Sequence, residues 1–296
     1  MRAPSIPLVL AAATALSQVA QGFSPAISAV HALQVGASRT ALALVSDAKN
    51  RSIVDIGADD FVIEEAGQAR EVLSVRVADY PVVVMLDTGA DARTDFGLMR
   101  KAAERFVERL GSRPVAIGTL GDTPQMLTTF EDERTKVHET LAELVFNPTA
   151  RSMLLQGTAL GAKTIRSTGA LFAALVVLSA TPSDSSRMSP DEMVASIVDS
   201  QAVLHVIANR STQVVGQMGQ IRSGTALRQI AEQTRGQYTT IYSPASYQPA
   251  LDRLSDRLAS EMMVEYLVPP GSKPLDVKVG IRLAGAKVRG LGVAPR

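Results

Sequence analysis

The chain contains no cysteine and no tryptophan, and aromatic residues make up only 4% of it. Without cysteine there are no disulfides, no thiolate metal ligands, no thiol nucleophile and no lipid attachment through sulfur. With so few rings, the core must be built from Val, Leu, Ile, Ala and Met, which suits an α/β sheet better than an aromatic-rich sandwich. Excess charge is missing as well. Thirty basic residues stand against 29 acidic ones, a formal net charge of +1, and the Lys and Arg are scattered. No global field recruits nucleic acid or an anionic membrane. Catalytic signatures are also lacking: there is no GxSxG elbow, no GxxxxGK[ST] phosphate loop and no HExxH. The three histidines, His31, His138 and His205, stand apart in the sequence, and a lone histidine inside the strand AVLHVIAN reads as a core residue.

What is present begins with Met1-Arg2 followed by IPLVLAAATALSQVA, the length of a signal-peptide apolar core, with Ala20-Gln21-Gly22 as a cleavage point. Residues 1–22 are therefore expected to direct export to the periplasm or the extracellular space. After their removal no run approaches the roughly 20 apolar residues a membrane span needs.

Residues 33–78 alternate apolar and polar positions, with Gly57 and Gly67 as turns, and predict a small antiparallel β segment. From 79 to 263 the rhythm changes to strand–helix–strand. VVVML, PVAIGTL, LFAALVVLS, AVLHVIAN and QYTTIY read as strands. The intervening helices include 132–146, with Val137, Leu141, Leu144 and Val145 on one face, and one opening at Thr158 as its N-cap. Pro190 marks the start of another, and 224–236 reads as a helix ended by Gly236. This alternation predicts right-handed crossovers and a mostly parallel sheet covered on both faces. The tail, 264–296, alternates again and is expected to pair with the N-terminal β segment.

The stretch VVVMLDTGAD (82–91) runs from a buried-looking strand straight into Asp87. In open α/β sheets the ligand crevice lies beyond the carboxyl ends of such strands, so Asp87 is the first candidate for a site. Two plainer roles compete with ligand binding: a carboxylate satisfied by its own loop, and, for Asp91, a solvated loop charge. A third reading makes Asp87 the nucleophile of a haloacid-dehalogenase-like phosphotransferase, but such enzymes have a second Asp two residues on, and here that residue is Gly89.

The order of these motifs resembles the von Willebrand factor A (VWA) domain. It consists of the apolar strand ending in Asp87, an amphipathic helix, IGTLGDTPQMLTTFEDERTKVHETL, then Gly157-Thr158-Ala159-Leu160 and ALVVLSA. The flanks TALALVSDAKNRSIVDIGADDFVIEEAGQAREV and LDRLSDRLASEMMVEYLVPPGSKPLDVKVGIRL are similar to those of secreted VWFA-related proteins common in Acidobacteria. The resemblance implies a doubly wound, Rossmann-like domain and a non-catalytic role in binding another protein or an extracellular-matrix ligand. It also implies a metal-ion-dependent adhesion site, made of Asp-x-Ser-x-Ser, a later Thr and a later Asp around a hard cation such as Mg²⁺. Carried over, Asp87 matches the first Asp and Thr158 the Thr. Gly89 stands where the first Ser belongs, Asp91 replaces the second, and Ala180-Thr181 takes the place of the final Asp, with Asp184 four residues beyond Ala180. Asp87, Asp91 and Thr158 thus form a degenerate metal site, and a metal-independent domain with no cofactor is expected. Thr88, Gly89, Asp122, Gly157 and Asp184 mark the expected partner-binding face.

Overall fold

The computed structural model describes residues 37–180, 184–210 and 218–294, with the side chains of 218–223 outside the description. The expected signal peptide and His31 therefore lie outside the described residues.

VVVML forms β5 (Val82–Leu86), and all five of its side chains are buried because helices cover the sheet on both sides. The flanking strands are β6 (Val115–Thr119), β7 (Gln125–Met126), β8 (Ala174–Ser179), β9 (Val203–Asn209) and β10 (Gln237–Ile241). They join β5 in the order β10-β9-β8-β5-β6-β7. All pairings are parallel except the short β7 against β6, a strand too brief to leave an apolar pattern in the sequence. The chain winds outward from β5 through β6 and β7, then returns to β8 and winds the other way. The order therefore reverses between β5 and β8, where a doubly wound sheet opens its crevice.

Alternation along β5 divides the core. Val82, Val84 and Leu86 face α1 (Phe96–Arg109), α2 (Arg134–Glu143) and α6 (Tyr247–Ala259). Val83 and Met85 face α3 (Leu154–Thr168), α4 (Pro190–Ser200) and α5 (Met218–Gln233). Pro190 does begin α4, where Ser189 and Glu192 form a reciprocal capping box. Three expectations need correction. The second helix ends at Glu143, so Val145 is 75% exposed rather than on the apolar face. The fifth helix starts at Met218, earlier than 224. The third starts at Leu154, which puts Thr158 in its interior; Met153 holds the N-cap position.

The two ends of the described chain meet in β structure. The strands β1 (Ala37–Ser46), β4 (Val72–Val77), β11 (Glu261–Val268) and β13 (Lys287–Ala294) form an antiparallel sheet ordered β13-β1-β11-β4. A second sheet is ordered β12-β2-β3, from β2 (Phe61–Glu65), β3 (Gln68–Arg70) and β12 (Val277–Ile281). Their shared core holds Ala41, Ala43, Phe61, Ile63, Val264 and Tyr266. Within it Arg39 and Glu65, nearly inaccessible, form an ion pair and hydrogen bond between β1 and β2.

Candidate functional site

The polypeptide leaves β5 at Asp87, whose backbone N–H still donates to the Leu178 carbonyl of β8 at 2.9 Å and so extends the ladder by one residue. The carboxylate therefore lies over the reversal point and is fully buried. Three donors converge on it. Gly89 N–H donates to Oδ1 at 3.0 Å, the Ser152 hydroxyl donates to Oδ1 at 2.6 Å, and Ala180 N–H donates to Oδ2 at 3.2 Å. Burial pushes the carboxyl pKa up, against the opposing pull of these donors; Ser152 is the strongest of them. Asp87 thus ties together its own loop, the chain segment before α3 and the end of β8.

Gly89 makes this possible. Its φ is −73°, open to any residue, so the glycine is required for space rather than for backbone freedom. A Cβ at 89 would stand 2.5 Å from Ser152 Oγ and 3.0 Å from Ser152 N. The hydroxyl expected from a serine at 89 is replaced by one from residue 152, inserted into the same space. The segment carrying it is fastened on every side. Asn147 N–H donates to the Thr88 carbonyl, Ala90 N–H to the Ala150 carbonyl and Met153 N–H to the Leu120 carbonyl.

The remaining expected residues are placed differently from one another. Asp91 is exposed on a 3₁₀ turn, Ala90–Ala92. Thr88 is buried beside Asp87, and a Cβ at Gly121 would meet its hydroxyl at 3.0 Å. Asp122 accepts a 2.8 Å bond from Arg151 N–H. Gly157, expected on the binding face, is buried instead: a Cβ there would lie 2.3 Å from Leu120 Cδ2, so it serves close packing of α3 on the sheet. Thr158 is wholly buried and its hydroxyl donates to the Leu154 carbonyl, one turn back, at 2.7 Å. The hydroxyl that reaches Asp87 is that of Ser152. Asp184 accepts from Leu155 N–H at 3.3 Å and from the Ser186 hydroxyl at 2.6 Å, while Ser186 Oγ accepts from Gln156 N–H at 3.1 Å. The β8–α4 loop thereby caps the open N–H groups of α3.

Sequence reasoning missed a second buried carboxylate. Asp95, at the N-cap position of α1, accepts a bond from the Asn209 side chain at the end of β9 and one from the Thr94 hydroxyl at 3.0 Å. Tyr247 lies beneath these acids and donates to the Ser179 carbonyl at 2.7 Å; burial pushes its phenol up, and Asp95 and Asp87 add to the effect. The polar residue closing the apolar strand VLHVIAN was the available signal for Asn209. Ser152 carried none.

These groups fit a hard divalent cation poorly. Such an ion needs several hydroxyl and carboxylate oxygens facing one point. The Asp87 oxygens already accept three hydrogen bonds, the 180 position contributes a backbone N–H, and the volume a side chain at 89 would fill holds Ser152. Among the described residues no group of three or more His, Asp or Glu is placed to hold a metal ion.

No protein-family model matches the chain, and neither does any curated protein. Solved structures do. A von Willebrand factor type A protein from Catenulispora acidiphila superposes with a TM-score of 0.52 at 13% identity, over 88% of this chain and 74% of that one. BatB from Bacteroides thetaiotaomicron gives 0.46 at 11% identity, over 60% of this chain and 98% of that one. Proximal thread matrix protein 1 from the mussel byssus gives 0.49 at 11% identity over 62% of this chain, which spans only 48% of that protein's length. Together with the strand order and the buried Asp at the reversal point, the Catenulispora match identifies the fold as that of a von Willebrand factor type A protein.

Proposed function

We propose that this protein is an exported, non-catalytic VWA-like binding module. Its loops at the carboxyl ends of the parallel strands engage another protein or an extracellular-matrix component without a divalent cation. The observation that carries this reading is the saturation of Asp87 by Gly89, Ser152 and Ala180. A cation site would have to break those bonds and expel Ser152. The same burial argues against an enzyme using Asp87 as nucleophile, since a reacting phosphate would need to reach a carboxylate with no accessible surface. Support for export comes from the N-terminal apolar segment of the sequence, and among the described residues no helix is long and apolar enough to cross a membrane.

The test is capture of partners from the exported fraction, with and without chelator, using the wild type and Thr123→Trp. Thr123 is exposed on the loop after β6, so the indole blocks the face without changing its charge. The expected result is capture that survives chelator and is lost in Thr123→Trp. Loss on chelation, or capture indifferent to the indole, contradicts the proposal.

A further inference from the structure

Six strands stand at the edges of the three sheets, and five of them are blunted against further pairing. The strands β7 and β3 have only two and three residues. Lys278 lies in β12. Lys287 and Arg289 lie in β13, which shifts register against β1, and Arg76 lies in β4, which shifts register against β11. The sixth, β10, has none of these devices. Its sequence QYTTI holds no charge and no proline, its register against β9 is unbroken, and β9 is its sole strand partner among the described residues. Arg228 of α5 stacks over the Tyr238 ring, 4.4 Å from the centroid, and reaches the Thr240 hydroxyl at 3.5 Å. Its charge therefore lies on the face of the sheet rather than in the plane of the edge.

The backbone of β10 is set for one more strand. The Ile241 carbonyl accepts from Arg210 N–H, so Ile241 and, by alternation, Thr239 and Gln237 turn their peptide groups toward β9. Tyr238 and Thr240 turn theirs outward. The chain is still extended at Ser243, with φ −149° and ψ 140°, which carries Tyr242 along the same edge. The outward row Tyr238, Thr240, Tyr242 reads the same from either end. Turned about a two-fold axis at Thr240, it meets its own copy in register. Thr240 then faces Thr240, and each Tyr238 faces Tyr242 of the other copy. Aromatic pairs and Thr–Thr pairs are favourable across antiparallel strands. Tyr242, 72% exposed, gains a ring to cover it, and Arg228 gains a second ring beside the one it already stacks on.

We propose that β10 pairs antiparallel with β10 of a second copy, joining the two central sheets into one. The parallel strands of the two copies then run in opposite directions, and their loop faces point away from each other. On the reading of those loops as binding faces, one dimer links two partners. The chain has no cysteine, so a single introduced thiol reports the register. Directly opposed, hydrogen-bonded residues have Cα atoms about 5.5 Å apart, within disulfide reach. Under copper–phenanthroline, Thr240→Cys should form a covalent dimer at least about tenfold faster than Thr239→Cys, whose thiol lies opposite Ile241 on the other face. It should also outpace Thr123→Cys, a control for random collision on an exposed loop. Sedimentation velocity should show the wild type passing from monomer to dimer as its concentration is raised to about 100 μM. Tyr242→Lys, which sets a charge beside Arg228 of the other copy, should stay monomeric; its side chain is exposed, and far-UV circular dichroism checks that it is folded. Thr123→Trp should dimerise as the wild type does, so the pairing is measured apart from the loop face and can fail or stand without it. A wild type that stays monomeric at that concentration overturns the proposal. So does a Thr240→Cys rate no greater than the two controls, or a dimer that persists in Tyr242→Lys.

Discussion

Gly89 and Ser152 compete for one volume, and the outcome decides what Asp87 can do. Replacing Gly89 with Ser would place the new Cβ 2.5 Å from Ser152 Oγ, well inside van der Waals contact distance, and 3.0 Å from its backbone nitrogen. The motif position would be restored while the loop carrying Ser152 was displaced. We expect Gly89→Ser to lose about 1–3 kcal/mol in urea unfolding, as overpacked sites do, and to gain no Mg²⁺ response. A stable variant that binds Mg²⁺ would mean that the loop yields readily. His205 supplies a second residue-scale prediction. Both ring nitrogens are buried without partners, and burial, with Arg257 adding to it, pulls the pKa down from 6.5 to about 3. The folded protein therefore binds the proton less readily than the unfolded chain. The stabilising contribution is complete above pH 6.5 and is lost as pH falls toward 3, at up to about 1.4 kcal/mol per pH unit. His205→Leu should flatten stability across that window. An unchanged acid slope would place the responsible groups elsewhere.

At the scale of elements, β5 and Asp87 were legible because a strand buried on both faces leaves an uninterrupted apolar run, and the chain must turn where that run stops. Pairing between the two flanks was legible from their period-two alternation, and it is seen in β1 with β11 and β13 and in β2 with β12. The start of α3 was not. Thr158 offers a local N-cap in the sequence, whereas the N–H groups of Leu155 and Gln156 are satisfied by Asp184 and Ser186, about 30 residues away. Ser152 was invisible for the same reason: its partner Asp87 is 65 residues distant. Contacts across the chain leave no periodicity to read. The β sheets carry their own prediction. Glu65→Ala would strand the buried Arg39 guanidinium and should cost about 3–5 kcal/mol, measured as a lowered unfolding midpoint. Adding Arg39→Met should recover part of that loss. If the single variant is neutral, the pair contributes nothing to joining β1 and β2.

For the whole molecule, the fold retains the crevice of a doubly wound sheet, and its own loops close over it. The segment before α3 fills the space beside Asp87, and the β8–α4 loop caps α3. The most direct measurement of this account is the melting temperature of the wild type and Asp91→Ala in chelator and in millimolar Mg²⁺. A cation held specifically by the native state raises the melting point through linkage. Equal melting temperatures in both conditions, for both proteins, are the predicted result; a rise of several degrees in Mg²⁺ that disappears in Asp91→Ala would contradict it.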